Sequence, residues 1–105
     1  MVPETLNTVK PETLNAVKLD LRISHGKLDE AIRGDIDACL ADLRVHGIIH
    51  KDDTDPLILN AVKLWCRSIY KDDAAKSAEY QRRYAELRNY LKAAKGYGWK
   101  GESDE

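Results

Sequence analysis

Apolar positions in this chain recur at helical spacing, and they are densest between Asp55 and Tyr70. In DPLILNAVKLWCRSIY, Asp55 suits an N-cap, and Pro56 suits the first helical position, where its missing N–H costs nothing. Wound at 3.6 residues per turn, Leu57, Ile58, Ala61, Val62, Leu64, Trp65, Cys66 and Ile69 spread over roughly half the circumference or more. A surface helix carries a narrower stripe. This helix is therefore expected to be central, with neighbours on two sides and only Asn60, Lys63, Arg67 and Lys71 facing outward.

Three further helices follow from the same reading. The first is expected to start at Thr13 as N-cap and run to Leu21, with Leu14, Val17 and Leu21 on one face. The segment 22–26 breaks it, with Ile23 as an apolar anchor. The second spans about Lys27 to Val45, with Leu28, Ile32, Ile36, Cys39, Leu40 and Leu43 as its stripe, Gly34 as a tolerated surface glycine and Gly47 as the stop. A polar loop follows, with Ile48 and Ile49 as plugs for the core. The last helix spans about Ala74 to Ala94 behind Asp73 as cap, with Tyr80, Tyr84, Leu87, Leu91 and Ala94 on one face. The expected fold is all-α: a small bundle of about four helices around the helix 55–70, with flexible extensions at both ends. Residues 1–12 form a duplicated, frayed extension (PETLNTVK at 3–10 repeats as PETLNAVK at 11–18), 13–95 the domain, and 96–105 a Gly-rich tail carrying Tyr97 and Trp99. LNAVKL also recurs at 59–64, a coincidence of helix-forming composition.

Composition narrows the picture modestly. A chain of 105 residues without Phe builds one aliphatic core. No apolar run approaches the ~18 residues of a membrane span, and no secretion signal opens the chain. Cys39 and Cys66 fall on apolar faces of separate helices, as buried reduced thiols would; a disulfide or metal pair is the alternative. The net charge of −1 argues against a general nucleic-acid binder, but the charges are segregated. Residues 1–62 hold seven Lys/Arg against eleven Asp/Glu, and residues 63–95 hold nine against four. Two solvated faces would account for this, and so would head-to-tail contacts between copies.

Catalytic and metal signatures are thin. His46 and His50 are separated by Gly47 and a helix end, so they do not share a face as an H-x-x-x-H pair does. Asp52, Asp53 and Asp55 lack the glycine and distal Glu of a calcium loop. Phosphate-binding glycine motifs, C-x-x-C and a nucleophile elbow are missing. No cofactor, metal site or catalytic residue is assigned. Two features stand out: the basic rows Lys63/Arg67/Lys71 and Arg88/Lys92/Lys95, and the tail aromatics. The rows fit a solvated face, or contact with phosphate or an acidic neighbour. The aromatics fit partner anchors, or a tail that folds back on its own core.

The succession TLNAVKLDLRIS (13–24), LDEAIRGDIDACLADL (28–43), DPLILNAVKLWCRSIY (55–70) and SAEYQRRYAELRNYL (77–91) resembles the head–tail connector family of tailed phages, also called head-completion or adaptor proteins. The resemblance spans about 13–95 and rests on the order of segments, not on one motif. It implies a structural protein of the virion head–tail junction, made in the host cytoplasm. Copies form a ring, commonly of twelve, beneath the portal after genome packaging. The ring extends the channel for genomic DNA and offers a surface to the next neck, head-closure or tail protein. The family has no enzymatic activity, cofactor or membrane association. By the same resemblance Lys95, Tyr97 and Trp99 are the portal-docking candidates. Glu30, Asp37, Lys63, Arg67, Lys71, Arg88 and Lys92 are candidates for contact with a neighbouring copy or the channel, with Glu30 and Asp37 facing a basic row of the next copy. The duplicated start and acidic end depart from the family pattern. The alternative reading is a small helical DNA-binding regulator, against which stands the lack of a compact helix–turn–helix with a basic recognition helix. An enzyme built on the loop between His46 and Asp55 is a third, remote option.

Overall fold

The computed structural model describes residues 9–48 and 55–94. They form four helices: α1 (Pro11–Leu21), α2 (Asp29–Val45), α3 (Pro56–Tyr70) and α4 (Ala74–Ala93), with no strand among the described residues. The fold is the expected all-α bundle, and α3 is its centre: it packs against each of the other three helices, most extensively against α4.

The start of α3 follows its sequence signals. The Asp55 carboxylate accepts from the backbone N–H of Leu57 and Ile58 at 3.1 and 3.2 Å, and Pro56 occupies the first turn. Ile58, Ala61, Val62, Leu64 and Cys66 are buried, and Leu57 and Trp65 pack partly against the same core. Ile69, expected inside, is 49% exposed. It sits one turn beyond Trp65 and lines an open cleft between α3 and α4 instead of the packed core. Asp73 caps α4 in the same way as Asp55, through Ala75 and Lys76.

α1 corrects the expected boundary. It begins at Pro11 with Lys10 as N-cap, while Thr13 lies inside the helix, fully buried. The proline that starts α3 so well does the same here, and Val9 ahead of it is buried in the core. The folded unit thus reaches back into the stretch assigned to the N-terminal extension. α2 starts at Asp29 instead of Lys27; Leu28 takes the cap position without a side-chain bond, and Asp29 and Glu30 face the positive end of the helix dipole. Its buried face is the expected one, Ile32, Ile36, Cys39, Leu40 and Leu43.

Two helices stop by the same device. At the end of α2, Gly47 is left-handed (φ 84°), its N–H bonds to the Arg44 carbonyl, and the N–H of Ile48 bonds to the Leu43 carbonyl at 2.9 Å. Ile48 and Leu43, joined by that bond, are both fully buried, as the Schellman motif favours. At the end of α1, Arg22 takes the left-handed position (φ 63°), with Arg22 N–H to Leu19 and Ile23 N–H to Lys18. A non-glycine residue there costs of order 1 kcal/mol. Ile23 packs against the core as expected; Ile49 lies outside the described residues.

These stops generate paired predictions for thermal unfolding. Arg22→Gly relieves the left-handed strain and should stabilise by about 0.5–1 kcal/mol. Gly34→Ala, on an exposed position with nothing within 4 Å of the added carbon, should gain a similar ~1 kcal/mol. Gly47→Ala, although equally uncrowded, should lose about 1 kcal/mol because its φ is positive. At ~4–8 °C per kcal/mol the three shifts are resolvable, and a stabilised Gly47→Ala would refute the assigned turn.

Candidate functional site

Part of the segregated charge closes between helices: Arg67 and Arg88 of the basic half bond to Asp20 and Asp42 of the acidic half. Asp20 of α1 accepts a two-pronged bond from Arg67 of α3, Nε at 2.7 Å and Nη2 at 2.6 Å. The same guanidinium lies 5.5 Å from the Tyr80 ring centre on α4, so one arginine ties three helices. Asp35 of α2 accepts from the Tyr70 hydroxyl at 2.6 Å. Asp42 of α2 accepts from the Tyr84 hydroxyl at 2.7 Å and from Arg88 Nη1 at 3.1 Å, both on α4. Lys18 of α1 reaches Asp29 at 2.7 Å. Acidic residues of the first half thus meet basic or phenolic groups of the second half within one chain.

The basic rows therefore do not run as continuous exposed strips. Arg67 and Arg88 turn inward, while Lys71 and Lys92 are exposed and Lys63 is half-buried. The planar guanidinium fork suits a fixed carboxylate, and the hydrated ammonium does not need one. Glu30 is exposed and pairs with Arg33 one turn away; Asp37 is partly buried and engaged. Reversing Arg67 would break its bond to Asp20, so that residue cannot report on contacts between copies. Lys95, Tyr97 and Trp99 lie outside the described residues, as do His50, Asp52 and Asp53. His46 sits with Nδ1 2.8 Å from the Asp42 carbonyl oxygen.

Beside the Asp42 cluster, α3 and α4 leave a cleft of about 370 Å³ lined by Trp65, Ser68, Ile69, Gln81, Tyr84, Ala85 and Arg88. Small side chains at Ser68 and Ala85 leave the space open. The Trp65 and Tyr84 rings meet edge to face at 5.1 Å and 71°, and Arg88 lies 5.5 Å from the Tyr84 ring centre. Trp65 Nε1 and Arg88 Nε are buried N–H donors with no acceptor among the described residues. The sequence had marked Trp65 and Tyr84 only as core; the pairing of small residues across the helix contact has no signature along one chain.

Both cysteines are buried and free. Burial pushes the Cys66 thiol up to about 12, with Asp35 and Asp20 adding to it. Burial likewise raises Cys39, whose Sγ lies 3.8 Å from the Tyr84 hydroxyl. Burial is also the first cause raising Tyr84, then the neighbouring Cys39 and Asp42. Neither thiol is poised as a nucleophile. Among the described residues no group of three or more His, Cys, Asp or Glu side chains is arranged to hold a metal ion, and no helix is long and apolar enough to cross a membrane. Compared with known proteins, the chain matches no family model, no curated protein and no solved structure.

Removing Asp42 leaves the Tyr84 hydroxyl and Arg88 without their acceptor. Asp42→Ala should destabilise by about 2–3 kcal/mol and Tyr84→Phe by about 1, and the double variant should cost less than the sum. Strict additivity in denaturant melts would refute the coupling. For pH, Cys66 is raised from an ordinary 9.0 to about 12, so its contribution is full below pH 9 and lost as pH rises toward 12. Stability should fall across that window, and less steeply in Cys66→Ala. An unchanged slope in the variant would contradict the assignment.

Proposed function

We propose that this chain is the repeating unit of a phage or prophage head–tail connector. It assembles as a ring beneath the portal, extends the DNA channel and joins the head to the next neck or tail protein. The observation that carries the reading is the way the resembling segments sit in the fold. The L-R-I-S stretch is the left-handed stop of α1, the D-P pair is the cap of α3, and the Y-x-x-x-Y-x-x-L-x-x-x-L run is the α4 face turned to the core. Each has a definite job in one compact four-helix unit.

The surface supports a protein that works through neighbours. Leu19, Val45 and Tyr90 are 80%, 82% and 60% exposed, large apolar side chains available to other chains. A ring needs one patch meeting a different patch on the next copy. With Arg67 and Arg88 engaged internally, Lys63, Lys71 and Lys92 are the row members left for a neighbour's acidic flank at Glu30 and Asp37, or for the channel. Lys95, Tyr97 and Trp99 remain the proposed portal anchors. The inward turn of the two arginines breaks the continuity of the basic rows, and with a net charge of −1 this weighs against a DNA-binding regulator.

Native mass measurement of the purified protein, alone and mixed with a phage portal complex, tests the proposal. The mixture should contain a ring of many copies, commonly twelve, bound to the portal. Trp99→Ala combined with Tyr97→Ala should keep the fold and lower portal affinity at least tenfold. A protein that stays monomeric and unbound with portals of related phages, yet binds short duplex DNA with a steep salt dependence, would replace this reading with the regulator.

A further inference from the structure

The α3/α4 cleft combines apolar walls with unmet hydrogen-bonding capacity. Its volume of about 370 Å³ lies at the low end of sites that hold small ligands, ~300–1,000 Å³, and suits one or two large side chains. Trp65, Ile69 and Tyr84 supply apolar surface, and Ile69 is half exposed at the rim. Two buried N–H groups, Trp65 Nε1 and Arg88 Nε, lack acceptors among the described residues, and an unmet buried donor costs ~1–3 kcal/mol. An occupant would therefore bring an aromatic or aliphatic body together with carbonyl or carboxylate oxygens.

We propose that the occupant is the chain's own C-terminal segment, 95–105, with Trp99 as the side chain that fills the cleft. Reach permits it. The described chain ends at Ala94, nine residues after Ala85 along α4 and its cap, ~14 Å at the helical rise of 1.5 Å. Five residues separate Ala94 from Trp99, and they span up to ~17 Å when extended. Composition matches the walls: Tyr97 and Trp99 alternate with Gly96 and Gly98, whose carbonyls can approach closely because no side chain intervenes.

This inference concerns the isolated chain and does not rest on ring formation. It adds a condition to portal docking: the aromatics offered to a partner must first leave the cleft. Isotope-labelled full-length protein examined by NMR tests it. The Trp99 ring should show contacts with the methyl groups of Ala85 and Ile69, and Trp99→Ala should move the Trp65 indole N–H resonance while leaving the α2 amides in place. Trp99 at random-coil shifts without those contacts would overturn the proposal. Contacts seen only between differently labelled chains in a mixed sample would overturn it too, assigning the cleft to a second copy. Portal binding measured on the same sample is independent, so loss of one result leaves the other interpretable.

Discussion

Burial of α3 on several sides at once is the constraint from which the other features follow. Ile58, Ala61, Val62, Leu64 and Cys66 cannot all be covered by one neighbour, because they lie around much of the helix. Three helices supply the cover. Each large aliphatic contributes about 1.5–3 kcal/mol as an upper estimate, whereas partly exposed ion pairs contribute ~0–1 kcal/mol. The apolar contacts therefore hold the bundle, and the polar pairs fix how its helices are set against one another. Asp20–Arg67–Tyr80 relates α1, α3 and α4; Asp42 with Tyr84 and Arg88 relates α2 and α4.

Those polar pairs change the meaning of the charge segregation. Along the chain an acidic half precedes a basic half, a pattern that suits contacts between copies. In the fold two pairs of it, Asp20–Arg67 and Asp42–Arg88, close within one molecule. What remains outward includes lysines, the Glu79–Arg82–Glu86 and Arg83 network of α4, and isolated apolar side chains. A connector subunit built this way would draw ring contacts from shape and apolar surface at least as much as from charge.

Helices with strong punctuation were legible in the sequence. Asp55-Pro56 and Asp73 set the starts of α3 and α4, and Gly47 set the end of α2, because each residue type has a backbone consequence that needs no tertiary partner. Arg22 was not legible as a left-handed stop, since nothing in its side chain announces that conformation. The repeated hexapeptide LNAVKL shows the limit most directly. Leu19 in α1 is 80% exposed, while Leu64, its counterpart in α3, is 6% exposed. Local sequence makes both segments helical; position in the bundle alone decides which leucine is covered. For the same reason the cleft, which depends on Ser68 facing Ala85 across two helices, and the inward turn of Arg67 and Arg88 could not be read along one strand of text.

Native-state hydrogen exchange tests the central place of α3 most directly. Amides from Ala61 to Cys66 should exchange only through global unfolding, with the full denaturant dependence of the whole bundle, while those of α1 open earlier. Exchange of the α3 amides through a local opening, with α1 and α2 still protected, would contradict the account.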